Sequence, residues 1–169
     1  MYWRGHVGIA LLAYAPVAGA VRVVGELGLT VVGAAVAVAF STVPDLDHRL
    51  PVAHRGPTHT VAFAVAAGAL VASAAAIAFS AGDGTVFLLA GDGTALPAWT
   101  PAYVGGVATL SLGSHVAGDA ITPMGIWPLR PFRERHVSYD LTPAADPRAN
   151  RLFLGAGVAA LALSVGLTL

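Results

Sequence analysis

Five stretches of this chain are long, apolar and nearly free of charge, and that feature decides its solvent. They run from about Val7 to Val21, Leu27 to Val43, Thr60 to Ala81, Pro101 to Ile121 and Leu152 to Leu169. A helix needs roughly 20 apolar residues, within a range of about 17 to 25, to cross a bilayer. The last four stretches reach or approach that range; the first is short and holds Pro16. Hydrophobic residues make up 56% of the chain and charged residues 11%. A soluble domain carries about 25% charged residues, so too few are present here to cover a surface facing water. Small residues are dense in all five stretches, which permits close helix packing in lipid. The expectation is an all-α, polytopic bundle of about five transmembrane helices, forming a single integral membrane domain over residues 1–169. Met1–His6 carries one arginine, and the apolar run after it ends in no clear cleavage site, so the first helix reads as retained rather than removed as a signal peptide.

Five spans put alternate loops on opposite faces. The N-terminus, the 44–59 loop and the 122–151 loop share one face. That face holds Arg4, Arg49, Arg55, Arg130, Arg133, Arg135, Arg148 and Arg151; the other holds only Arg22. The 82–100 loop on that other face carries Asp83 and Asp92, no Arg, and the short apolar run Val86–Ala90, too short to span. The positive-inside rule makes the arginine-rich face cytoplasmic. The expected location is therefore the inner or plasma membrane, crossed several times.

Several function classes drop out. With no cysteine, disulfides, thiolate metal sites and cysteine nucleophiles are excluded. With no lysine, there is no phosphate loop of the Gly-x-x-x-x-Gly-Lys type. Gly113-Ser114-His115 is not a nucleophile elbow, because Gly-x-Ser-x-Gly is missing. Net charge is zero, and no basic patch argues for nucleic acid as a partner.

The remaining polar residues fall unevenly on this topology. His6, His48, His54, His59, His115 and His136 all map to the arginine-rich face, as do Asp45, Asp47 and Asp119. His115 and Asp119 are spaced i, i+4, so they share one helix face. Such a pair can hold one metal ion or hydrogen-bond within the bundle. Ionisable groups in an apolar helix are costly and are functional candidates by default. Pro44-Asp45-Leu46-Asp47-His48 places two carboxylates and an imidazole directly after a membrane helix. Such a set suits a hard or borderline cation, and also suits an ordinary helix exit. In His54-Arg55-Gly56-Pro57-Thr58-His59, the Gly-Pro pair shapes a turn and Thr58 is placed to cap the third helix. Arg55 is either a fork for phosphate or carboxylate oxygens or a positive-inside anchor. His136 reads as a support behind a ligand, a substrate contact or an interfacial group, and the arginines of the 122–151 loop as groups facing lipid headgroups, with phosphate binding the less favoured alternative.

As a set, these motifs resemble the YdjM-type family of inner-membrane-associated, metal-dependent hydrolases, some of which are described as LexA-binding. The resemblance rests on Gly5-His6, Pro44-Asp45-Leu46-Asp47-His48, His54-Arg55-Gly56-x-Thr58-His59 and Ser114-His115-x-x-Gly118-Asp119 followed by Thr122-Pro123. It covers roughly residues 5 to 131; Thr60 departs slightly, standing where serine is common. The order of these residues is also similar, more loosely, to the ligand order of zinc-dependent phospholipase C and the single-strand-specific zinc nucleases, without a counterpart to their additional His and Glu ligands. That similarity implies His6, Asp45, His59, His115 and Asp119 as ligands of one or two divalent ions, zinc first and manganese next. Asp47 and His48 would orient ligands or move protons, and His54 and Arg55 would contact an anionic substrate. The implied activity is hydrolysis, of a lipid or lipid-linked phosphoester by position, with membrane lipids as surroundings. The alternative is a structural metal or polar cluster in a protein that docks a cytoplasmic partner. A transporter is disfavoured, because no polar trail crosses helices two, three and five.

Overall fold

The computed structural model describes residues 1–49, 51–81 and 96–167. It contains five long helices: α1 (Trp3–Val23), α2 (Leu27–Phe40), α3 (Val61–Ala81), α4 (Thr100–Ala120) and α5 (Pro147–Gly166). Two 3₁₀ turns, Val43–Arg49 and Pro57–His59, lie between α2 and α3. Among the described residues the β-type pairing is a single antiparallel bridge, Ile126 with Val137. Asp83, Asp92 and the run Val86–Ala90 lie outside the described residues.

α1, the run Leu27–Arg49, α3 and α5 are each long and apolar enough to cross a membrane. α4 has the same length as α1 and α3, but Thr100, Ser111, Ser114, His115 and Asp119 dilute its hydropathy. It compensates by enclosure: α1, α2 and α3 all pack on it, and those five polar residues are buried. α5 packs along α1 and buries only Asn150 and Gly157.

Two glycine crossings set the helix distances. Any Cβ on Gly8 or Gly157 would overlap the backbone of the facing helix, so α1 and α5 touch main chain to main chain there. Gly68 and Gly105 do the same for α3 and α4. In lipid there is no hydrophobic drive to associate helices, so such close dispersion contact and polar links hold the bundle.

Consecutive helices alternate in direction. Val21 at the end of α1, Leu29 near the start of α2, Leu96 before α4 and the partly buried Phe79 and Tyr103 form one apolar cluster. Nearby, the Tyr14 hydroxyl donates to Thr30 O (2.7 Å) and the Tyr103 hydroxyl to Leu29 O (2.9 Å). The start of α1, the end of α2, the start of α3, the end of α4 and the start of α5 gather at the opposite end of the bundle.

Two local expectations are corrected. The fifth helix begins at Pro147, not Leu152: Asp146 caps it by accepting from Arg148 N (2.8 Å) and Ala149 N (3.3 Å), and Pro147 supplies a helical φ at the first position. Apolar patterning misses this polar first turn. Thr58 does not cap the third helix; Thr60 Oγ1 does, accepting from Phe63 N (3.1 Å). The Pro57–His59 turn delays the helix start and frees Thr58 for another task.

Candidate metal centre

The end where the five helix termini gather holds a buried polar cluster. His6 comes from the first turns of α1, Asp45 from the turn after α2, His59 from the turn before α3, and His115 and Asp119 from the last turns of α4. His6, His59 and His115 are completely buried; Asp119 is almost so, and Asp45 is partly open.

The distances have a simple pattern. Each carboxylate faces all three imidazole Nε2 atoms. Asp45 lies 3.9 Å from His6, 3.5 Å from His59 and 3.5 Å from His115. Asp119 lies 3.5 Å from His6, 3.5 Å from His59 and 3.7 Å from His115. His59 Nε2 and His115 Nε2 are 3.2 Å apart. Zinc–ligand bonds of about 2.0–2.1 Å put neighbouring ligand atoms of a tetrahedron roughly 3.3–3.4 Å apart. The observed spacings are of that size. Donor atoms of His6, Asp45, His115 and Asp119 lie within 4.8 Å of one another, as do those of Asp45, His54 and His59.

The hydrogen bonds fix which imidazole nitrogens carry lone pairs. His115 Nδ1–H donates to Ser41 O at 2.7 Å, which leaves Nε2 unprotonated and aimed into the cluster. Thr58 Oγ1–H donates to Asp47 Oδ2 (3.2 Å), so His59 Nδ1–H donates to Thr58 Oγ1 (3.0 Å), and His59 Nε2 is also a lone pair. Two such nitrogens 3.2 Å apart cannot bond each other and repel. His6 Nε2 and Asp119 Oδ2 are buried without a hydrogen bond. A buried polar atom left unpaired costs about 1–3 kcal/mol. A cation among these atoms removes the repulsion and satisfies the orphans together, so the residues fit a divalent metal. Gly118 belongs to the same fit, because a Cβ there would press on Ile9 at 3.0 Å and on the His6 ring at 3.3 Å.

A family model described as YdjM inner membrane protein matches residues 1–169. The chain belongs to that family. None of the curated proteins or solved structures compared with it matches. For this family member, then, the membrane helices and the His/Asp cluster are observations on the chain itself.

The other predicted residues divide into supports and cavity walls. Asp47 is buried behind His59. It accepts from Arg55 N (3.1 Å) and Thr58 Oγ1 (3.2 Å), pairs with His54 Nδ1 (3.0 Å), and lies 3.4 Å from His59 Nδ1. A carboxylate behind a ligating imidazole fixes its ring and raises its basicity. Arg55 is not a surface anchor. Its buried guanidinium donates to Asp119 Oδ1, Thr122 Oγ1 and Gly125 O, each at 3.0 Å. It therefore ties the end of α4, and the turn after it, to the cluster. His48 and His54 are exposed and stacked, with ring centroids 3.9 Å apart. With Asp45, Arg55, Tyr2 and Met124 they line a cavity of about 360 Å³ that reaches the cluster at Asp45 alone. His136 stands apart, with Nε2–H donating to Met124 O (3.0 Å).

Sequence reasoning missed five contributors. Ser41 O orients His115, and a signal existed: the last carbonyls of a helix lack intrahelical partners. Thr122 and Gly125 hold Arg55; Thr122 was visible as part of the Thr122-Pro123 motif, though its role was not. The Met1 amine lies 2.6 Å from Asp119 Oδ1, a contact no spacing rule suggests. Asn150 accepts from Tyr2 N (3.1 Å) and donates to Asp146 O (2.6 Å), joining α1 to α5 beside the site.

Proposed function

We propose that this protein is a membrane-embedded, metal-dependent hydrolase whose centre lies at the cytoplasmic face of the inner membrane. One observation carries the reading: three imidazole nitrogens and two carboxylates converge, with His59 and His115 held by their outer nitrogens, beside a cavity reaching solvent. A structural site is closed by protein ligands, whereas a catalytic one keeps access for water. The cavity beside Asp45 favours catalysis over a cluster that only stiffens a docking protein.

His6, Asp45, His59, His115 and Asp119 would hold one or two ions, zinc first by the mixed nitrogen and oxygen donors, then manganese. Bound there, a divalent ion supplies a water of lowered pKa and a polarising charge. Asp47 holds His59 in place. His48, exposed at the cavity wall where solvent and substrate meet, carries protons. His54 and the charge of Arg55 favour an anionic substrate, and the position at the membrane points to a lipid or lipid-linked phosphoester.

The first test is metal content of detergent-purified protein, wild type against a His115→Ala, Asp119→Ala double variant. About one or two divalent ions in the wild type, lost in a variant that keeps its helical circular dichroism, support the centre. A wild type that holds no ion after incubation with zinc or manganese overturns it. With metal established, hydrolysis of phosphoester lipids should require His48; activity unchanged in His48→Ala removes that residue from the mechanism.

A further inference from the structure

A second cavity lies on the outside of the bundle and shares no residue with the one beside the metal centre. It is a groove of about 630 Å³ between the start of α3 and the turn at 128–133. Val61, Val65 and Ala69 form one wall, spaced four residues apart along α3; Pro128, Leu129 and Phe132 form the other. The two walls are stitched where Val61 N–H donates to Pro128 O at 2.9 Å. The lining is almost wholly apolar, with two exceptions, Arg130 and Arg133.

These arginines are incompletely neutralised. Arg130 meets Glu134 at 3.3 Å, and Trp127 backs it with the ring centroid 4.8 Å from its guanidinium carbon. Its Nε is buried without a hydrogen-bond partner. Arg133 has no ion pair among the described residues. The wall on α3 belongs to a helix apolar enough to cross a membrane, and only Ala64 and Gly68 of that helix are buried. What lies against it in a bilayer is acyl chain. An apolar trough lined also by two arginines, one of them backed by Trp127, matches a molecule with a hydrocarbon tail and an anionic head.

We propose that this groove binds one anionic glycerophospholipid, with an acyl chain along Val61, Val65 and Ala69 and the phosphate at Arg130 and Arg133. The molecule carries its own control. Arg148 and Arg151 sit above an apolar strip of α5, Leu152, Ala156 and Ala159, with the same charge but only one helix as wall. If two walls make the site, α5 should not hold lipid as well.

The experiment is native mass spectrometry of the full chain released from nanodiscs with equal phosphatidylglycerol and phosphatidylcholine. The wild type should retain one phosphatidylglycerol in preference to phosphatidylcholine. Arg130→Gln with Arg133→Gln should lower that retention at least about tenfold, given two arginine–headgroup attractions. Ala66→Trp, which fills the groove from an exposed position, should lower it with both arginines intact. Arg148→Gln with Arg151→Gln should leave it unchanged. Equal retention of the two lipids, full retention in either groove variant, or an equal loss in the α5 variant overturns the site.

Discussion

α3 and α4 have the same length and pack along each other, yet they answer opposite demands. α3 is Ala- and Val-rich, buries only Ala64 and Gly68, and turns Leu70 and Ile77 outward with about 70% of their surface open. α4 buries twelve residues, among them Thr100, Ser111, Ser114, His115 and Asp119. The helix that carries two of the candidate ligands, His115 and Asp119, is the one long helix among the described residues that is not apolar enough to count as a membrane span. Its neighbours supply the apolar coat, so polarity concentrates where lipid cannot reach. The lipid-facing positions of the outer helix tolerate any apolar residue, whereas its Gly68 and the inner helix are held by close partners.

The contrast can be broken or sharpened by substitution. The largest effect should come from Asp119→Ala, which leaves the Arg55 guanidinium buried without its carboxylate. A loss of about 3–5 kcal/mol is expected, read by thermal unfolding in detergent. Adding Arg55→Met should recover much of it; no recovery would mean that Asp119 matters for another reason. Next, Gly105→Leu should cost about 1–3 kcal/mol, because the new side chain meets the Gly68 backbone and Ala72. Asp47→Asn leaves the fold intact but loosens His59, and should weaken metal binding about 10–100-fold in a chelator competition. Least of all, Leu70→Ala exchanges one lipid-facing apolar group for another and should stay within about 0.5 kcal/mol. If it instead matches Gly105→Leu, the outer face of α3 is covered by protein and the comparison fails.

Much of this was legible from residues alone, for physical reasons. Helices in lipid must satisfy their backbone internally, so apolar runs located all five helices to within a few residues. Alternation then placed His6, Asp45, His59, His115 and Asp119 at one end, where the structure also gathers them. Burial was not legible. Arginine beside a membrane helix usually faces headgroups, and only the positions of Thr122 and Gly125 show Arg55 turned inward. Polar first turns were invisible for a similar reason: Asp146 and Pro147 begin α5 by capping, which apolar patterning does not register. Patterning points to Thr58 as the cap in place of Thr60, because the intervening 3₁₀ turn leaves no mark in the apolar pattern.

α2 is short. Its 14 residues rise only about 21 Å, roughly 9 Å less than the hydrocarbon thickness of a bilayer. The chain covers the remainder with Val43–Arg49, the segment that bears Asp45 and Asp47. The turn that completes the crossing therefore also carries both carboxylates, so the depth at which this segment ends sets where Asp45 meets His59 and His115.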